Sequence, residues 1–379
     1  MTKFLARRLS AIAVAMVIVL AVPVTAQQVG GSVDNTAYGG ASGEFLLLGA
    51  GARGAALGGS YAALATDLTA MYYNPAGLAQ LARPGAMFSS YRYVADTKYS
   101  WAGVAFPMSG GARSVGVSLG TFGFSDQPVY TVDNPDGDGT KYSVAETFVG
   151  LTFGQNFSDR FAAGFTAKYI HDGLGQTSAS GFAVDFGTSF HAQVGSRPIR
   201  AAFVLQNLGS SLKHDGPPLD VGVQREPPLG TPQIPQENQP SRLRASGWTL
   251  PVLFRVSVSL DVWSQGQNRL TALSEFNQPN NTKPGAGMGL EWMSTNLGNT
   301  GFSLAARGSY TLNPDNNTSG VDLGGLKTSY KSSAFTSDGI ALGGGLGYTR
   351  GSMHLGFDYA YRNLGALGGT NFMSFEVGW

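Results

Sequence analysis

The sequence predicts an all-β transmembrane barrel of fourteen antiparallel strands with a small, partly helical N-terminal plug. Three observations predict it. From about residue 86 onward, apolar and polar residues alternate with a period of two in segment after segment. The long connections all leave from the same end of the strands. The final run, residues 370–379, alternates without a break: Met373, Phe375, Val377 and Trp379 share one face, and Ser374, Glu376 and Gly378 the other. Free termini fray, so a strand patterned to its last residue is expected to close something.

Residues 1–26 read as a secretory signal peptide. Lys3, Arg7 and Arg8 supply the positive region, residues 9–22 an apolar stretch too short to span a bilayer, and Val24-Thr25-Ala26 the small residues before a cut. Residues 27–85 are expected to form a hatch or plug. They begin with a polar, Gly-rich lead and continue from residue 44 to 81 as an Ala-rich, partly helical segment. Within it Asn74 is placed to cap a helix that Pro75 starts.

Residues 86–379 are expected to form the barrel, with strands centred near residues 91, 103, 119, 149, 165, 186, 203, 256, 272, 289, 306, 344, 357 and 375. The pattern is plain in the best of them. Phe161, Ala163, Phe165, Ala167 and Tyr169 oppose Gly164, Thr166 and Lys168, and Phe254, Val256, Val258 and Leu260 oppose Arg255, Ser257 and Ser259. Segments of about 9–11 residues suit tilted membrane strands. Long loops near 125–142, 208–248 and 313–338 follow strands three, seven and eleven, whereas the turns after strands four, eight and twelve are short. Outer-membrane barrels have an even strand number, short periplasmic turns and long external loops. The N-terminus is therefore expected in the periplasm and the long loops outside. A soluble sandwich or propeller also alternates, but it does not predict Phe and Tyr on the apolar face of nearly every strand.

Composition agrees. Only 13% of residues are charged and 54 are Gly, roughly twice the usual share. Gly weakens a soluble strand, but small inward residues in a barrel make room for a plug. The formal net charge of +1 gives no field for nucleic acid. There is no Cys, so any stability comes from the hydrogen-bonded framework.

Few motifs suggest chemistry. Gly49-Ala50-Gly51-Ala52-Arg53-Gly54 matches a dinucleotide fingerprint, but that fingerprint needs a βαβ unit, and Tyr72-Tyr73-Asn74-Pro75 interrupts. Close packing of a small-residue segment is the expected role. Asp133, Asp136 and Asp138 concentrate oxygen ligands in the first long loop, a weak Ca²⁺ candidate without the closing acid of an EF-hand. His171, His191, His214 and His354 lack ligand spacing. No catalytic signature and no cofactor are expected. The inward faces carry Lys168, Asp185, Arg255, Asp261, Glu291, Arg307, Asp358 and Glu376. A selective pore favours rings of one sign. Mixed signs suit a lumen paired off against itself or against a plug.

The segment from Phe45 through Gly49-Ala50-Gly51-Ala52-Arg53-Gly54, Gly58-Gly59, Asp67 and Tyr72-Tyr73-Asn74-Pro75-Ala76-Gly77 resembles the N-terminal signature of the PorV/PorQ family, within the wider FadL-like group of outer-membrane proteins. The resemblance implies a hatch whose motif comprises Gly51, Arg53, Gly58, Gly59, Asp67, Asn74, Pro75, Ala76 and Gly77. It also implies a C-terminal aromatic strand read by the assembly machinery. PorV-like members serve type IX secretion, so it implies exported cargo proteins and a translocon as partners besides lipid. The Pro-rich loop between Gly216 and Pro240 would present the recognition surface. FadL-like transporters offer the alternative: passage of fatty acids or hydrocarbons past a hatch and sideways into the membrane. Bound lipid and a lateral gap would favour that alternative; a sealed wall and a lumen of ion pairs would count against it.

Overall fold

A computed structural model describes residues 39–137, 139–223, 239–312, 322–323, 326–327 and 339–379. The expected signal at 1–26, the lead as far as residue 38, Asp138, the Pro-rich stretch 224–238 and most of the loop 313–338 lie outside the described residues.

Fourteen strands follow one another round the wall: β1 (Gly85–Arg92), β2 (Lys98–Met108), β3 (Arg113–Pro128), β4 (Lys141–Ser158), β5 (Phe161–Leu174), β6 (Thr177–Val194), β7 (Arg197–Gly209), β8 (Leu253–Gln265), β9 (Asn268–Pro279), β10 (Gly285–Ser294), β11 (Phe302–Leu312), β12 (Ile340–Arg350), β13 (Met353–Asn363) and β14 (Gly369–Gly378). Each pairs antiparallel with its neighbours, and β14 pairs with β1 to close the barrel. Phe375 stands opposite Phe88 and Phe372 opposite Tyr91 across that seam. Closure leaves no open edge, which is the condition for crossing lipid with strands. Trp379 extends the seam: its N–H donates to the Pro84 carbonyl, and its ring meets Phe106 edge-on at 6.1 Å. All fourteen expected strand centres fall within these strands.

The alternating faces explain the wall. Outward residues are apolar and exposed on every strand, with Leu151 57% and Phe182 67% accessible. A collar of this size has no place in water and marks a lipid-facing surface. Among the described residues no helix is long and apolar enough to cross a membrane; the strands do the crossing. The connections after β3, β7 and β11 leave from one end, and the two-residue turns after β4, β8 and β12 lie at the other.

The lumen is filled by residues 44–81. They contain a 3-10 turn at Glu44–Leu47, helix α1 (Ala52–Ala56), helix α2 (Ala70–Tyr73) and a 3-10 helix at Pro75–Gln80. Helices this short are unstable alone, so packing inside the barrel holds them. Leu57, Leu68 and Leu78 are fully buried, and Tyr61, Tyr72 and Tyr73 stack edge to face at 5.1 and 4.9 Å. This is a closed fourteen-strand barrel with its core in the plug. The plug crosses the whole lumen. Ala41 bridges Thr249 at the long-loop end, while Gly85 starts β1 opposite Gly378 at the short-turn end.

Candidate functional site

The plug is bound to the wall by two different kinds of contact. One is a seat built from missing side chains. Gly154, Gly164 and Gly187 stand side by side on β4, β5 and β6. A Cβ at Gly164 would collide with the Pro75 backbone, one at Gly187 with the Asn74 side chain, and one at Gly154 would lie 2.8 Å from Pro75 O and Ala79 N. Only glycine lets the chain at Asn74-Pro75-Ala76 lie directly on the strands. Asn74 then uses its whole amide. Its Oδ1 accepts from Ala76 N at 3.1 Å, which caps the turn that Pro75 starts. Its Nδ2 donates to Ala62 O at 3.1 Å and to Thr188 O at 3.2 Å. The turn is a 3-10 helix rather than an α-helix. Gly77 is required by the close approach of Ala65 O.

The other kind of contact is ionic. Arg53 projects from α1 to Asp67 at 2.7 Å and to Glu291 at 2.8 Å. Glu291 also takes Arg307 at 2.8 Å, and Arg307 continues to Asp358. Tyr61 and Thr69 hydroxyls donate to Asp67 as well. Burial acts to raise the Asp67 carboxyl, but Arg53 and these hydrogen bonds outweigh it and hold it below the ordinary carboxylate value. Further round the wall, Arg255 pairs with Glu275 at 2.9 Å and donates to Gly59 O at 2.8 Å. Glu275 in turn accepts from Ala62 N. Lys168 pairs with Asp185 at 2.7 Å, and Asp261 with Arg200 at 3.1 Å. Glu376 faces a cavity beside Asp358, Arg83 and His354.

The glycines of the Gly-Ala-Arg-Gly…Gly-Gly segment serve this packing. Gly51, Gly58 and Gly59 have φ of 76°, 67° and 76°, a region that disfavours other residues. A Cβ at Gly54 would collide with Tyr73. No strand lies between residues 44 and 81, so the dinucleotide fingerprint has no βαβ unit to sit in. Asp133 and Asp136 are exposed, and among the described residues no group of three acidic, His or Cys side chains is placed to hold a metal.

Two cavities flank α1. Towards the long loops lies one of about 250 Å³, lined by Leu48, Leu253 and Phe372 and by Arg255, Asn277 and Arg362. Towards the short turns lies a vestibule of about 670 Å³ bordered by Arg53, Asp67, Arg83, Ser303, Ala305, His354, Asp358 and Glu376. It exists because inward positions of β11 to β13 are small: Ser303, Ala305, Gly345, Gly347 and Gly356. Between the two, α1 is tied by Ala52 N to Ser374 Oγ at 2.6 Å and by Ser309 Oγ to Ala56 O at 2.9 Å.

Sequence reasoning missed Glu275, Ser374 and the glycine row, and also Gln206, whose Oε1 accepts from Arg255 Nε at 2.8 Å, and Asn207, whose Oδ1 accepts from Lys168 Nζ at 2.8 Å. The row had a visible signal: each glycine neighbours an outward Phe, as in Phe153-Gly154, Gly164-Phe165 and Phe186-Gly187.

No family model matches the chain, and no curated protein matches it. Among solved structures, the Pseudomonas putida toluene transporter TodX has 9% identity and a TM-score of 0.50, covering 87% of this chain and 96% of the other. The Ralstonia pickettii toluene transporter TbuX has 12% identity and a TM-score of 0.48, covering 88% and 98%. A Pseudomonas aeruginosa FadL homologue has 11% identity and a TM-score of 0.43, covering 84% and 94%. The PorV/PorQ resemblance is overturned by the likeness to TodX, and with it go type IX secretion, exported cargo and a translocon partner. The residues that carried it are explained by the φ values and tight contacts of the plug. What the likeness to TodX shows is the fold, a closed multi-strand barrel.

Proposed function

We propose that the protein is a non-enzymatic outer-membrane channel for hydrophobic small molecules such as fatty acids and hydrocarbons, closed at rest by its hatch. One observation carries the reading: two cavities share one lumen, and the five-residue helix α1 stands between them. Displacing a single short segment joins them. The fold shared with a protein named as a toluene transporter supports the same class of solute. In this reading the short-turn end, where β1 begins, faces the periplasm and the long loops face outward. The wall is closed all round and the lumen is lined by ion pairs. Both features weigh against passage through this conformation, so passage requires the hatch to move.

The test is a reversible lock. A Cβ at Gly343 would stand 2.6 Å from the Ala56 Cβ. Disulfides need about 3.5–4.5 Å between Cβ atoms, and the same Cβ would meet Tyr359 O at 2.6 Å, so an Ala56→Cys/Gly343→Cys pair closes once α1 and the β12 backbone together give by about 1 Å. The chain has no other Cys. Uptake of radiolabelled octanoate and toluene is measured in intact cells whose lipopolysaccharide leaflet bars the free compounds. Uptake should fall to the level of channel-free cells when the pair is oxidised and return on reduction. Equal uptake of both solutes in the two states would sink the proposal.

A further inference from the structure

The position of the vestibule bears on where a solute goes once the hatch has moved, a question that rests on the passage reading above. We propose that the solute leaves downwards, through the short-turn vestibule into the periplasm, rather than sideways through the wall, and that it is therefore a short amphiphile that water can carry.

Three observations support this route. First, the wall offers no side door at the height of the plug. The ladder between β6 and β7 is irregular beside Asp185, a place next to the plug where a gap could form. It is filled instead. The Asp185 carboxylate accepts the Asn207 N–H at 2.8 Å, replacing the missing ladder bond, while Lys168 reaches both Asp185 at 2.7 Å and Asn207 Oδ1 at 2.8 Å. Opening the wall there would strip partners from a buried ion pair. Other irregularities among the described residues lie towards strand ends, near Phe124, Asn156 and Asp261, and the one at Asn156 is tied to the plug by its Nδ2 donating to Ala79 O at 2.9 Å.

Second, the space below α1 is larger than the space above and is mixed in lining. Arg83, His354 and Glu376 border it together with Leu81, Met293 and Ala305. A solute with one apolar and one polar end can set each against a matching part of such a lining and leave it for water.

Third, the upper cavity offers both apolar and polar contacts. Leu48, Leu253 and Phe372 supply the apolar ones. Of the polar groups, Arg362 Nε and Asn277 Oδ1 are buried with no hydrogen-bond partner among the described residues. Buried polar groups without partners are costly, and a bound polar group would satisfy them. At about 250 Å³ the cavity is below the usual 300–1,000 Å³ of ligand pockets, which limits the length of the solute.

Blocking the vestibule tests the route. Ala305 points inward on β11 and its neighbour Ala306 outward, so Ala305→Trp obstructs the vestibule and Ala306→Trp adds the same bulk to the lipid face. Octanoate uptake should fall at least tenfold in A305W and stay at the wild-type rate in A306W. Should A305W fail to fold, Ser303→Cys, unique in this chain, is labelled with a bulky maleimide after assembly, and the same loss is expected on labelling. Wild-type uptake in folded A305W or in labelled S303C overturns the downward route while leaving the channel reading intact. Absence of octanoate uptake by the wild-type protein while toluene still enters overturns the amphiphile and its route alone, and absence of both overturns the channel reading as well.

Discussion

Replacing Arg53 by Met should release the hatch without unfolding the barrel. Methionine fills much of the volume but makes no ion pair. The change removes the 2.7 Å contact to Asp67 and the paired 2.8 Å contacts to Glu291, together with the stacking of the guanidinium over Tyr61 at 5.1 Å. Breaking a buried pair on one side costs about 3–5 kcal/mol. Here the lower end applies, because Glu291 keeps Arg307 and Asp67 keeps Tyr61 and Thr69. A loss of about 3 kcal/mol at one tenfold change per 1.4 kcal/mol raises the population with α1 displaced about 100-fold. The strand ladders are untouched, so the barrel itself should still migrate as a folded species. Planar-bilayer conductance and protease cleavage within residues 44–81 read the displaced population. A folded R53M protein that stays as silent and as protected as wild type would refute the assignment of Arg53 as the latch. Combining R53M with Glu291→Gln adds a second check: a coupling energy near zero in the cycle would refute it equally.

The glycine seat and the acid side of the latch give further expectations. Gly187→Ala forces a Cβ into the Asn74 amide, and overpacking of this kind costs about 1–3 kcal/mol; proteolysis should then reach the 74–80 segment, and a plug as resistant as wild type would show that the seat yields freely. Asp67 has a folded pKa held below its ordinary value, so its contribution to hatch retention is complete above roughly pH 4 and is lost as pH falls through the depressed value. Conductance should therefore stay flat from neutral pH to about 4 and rise below it, and a rise beginning between pH 7 and 5 would assign the response to another group.

The wall was legible in the sequence because a barrel strand reports its two environments residue by residue. Lipid outside and lumen inside impose period two, so Phe165 and Lys168, or Phe254 and Arg255, declare their faces with no knowledge of their neighbours. The closing seam was legible for the same reason, from Met373 to Trp379. The site was legible only in part. Arg53, Asp67 and Asn74 stood out by type, but their partners did not. Arg53 and Glu291 are 238 positions apart, and Ala52 and Ser374 are 322 apart. Nothing local in a sequence says which inward side chain of which strand a plug residue meets. Glu275 was overlooked because its strand mixes Leu273 and Asn277 on the inward face, which blurs the alternation. The PorV/PorQ reading failed for a related reason. A row of Gly and Ala with one Arg is what any chain needs to fold tightly inside a barrel, so it records confinement and carries little about partners.

The two kinds of plug contact also determine which part of the hatch can move. The strand ladders do not depend on the plug, so the plug can open as a unit of lower stability than the barrel around it. Within it, the Asn74-Pro75-Ala76 turn lies against the backbone of three strands and has no room to slide past them. The α1 limb is held by side chains instead: Arg53 to Asp67 and Glu291, Ser374 to Ala52, and Ser309 to Ala56. Side-chain bonds of this sort contribute about 0.5–3 kcal/mol each and can be exchanged for water or solute. The backbone on both sides of α1 is glycine at positive φ, Gly49 and Gly51 before it and Gly58 and Gly59 after it. Such positions absorb dihedral changes that other residues resist. The hatch therefore swings at α1 about a fixed seat at Asn74, and a crosslink of Ala56 to Gly343 should close the lumen while one at the seat would immobilise what already stands still.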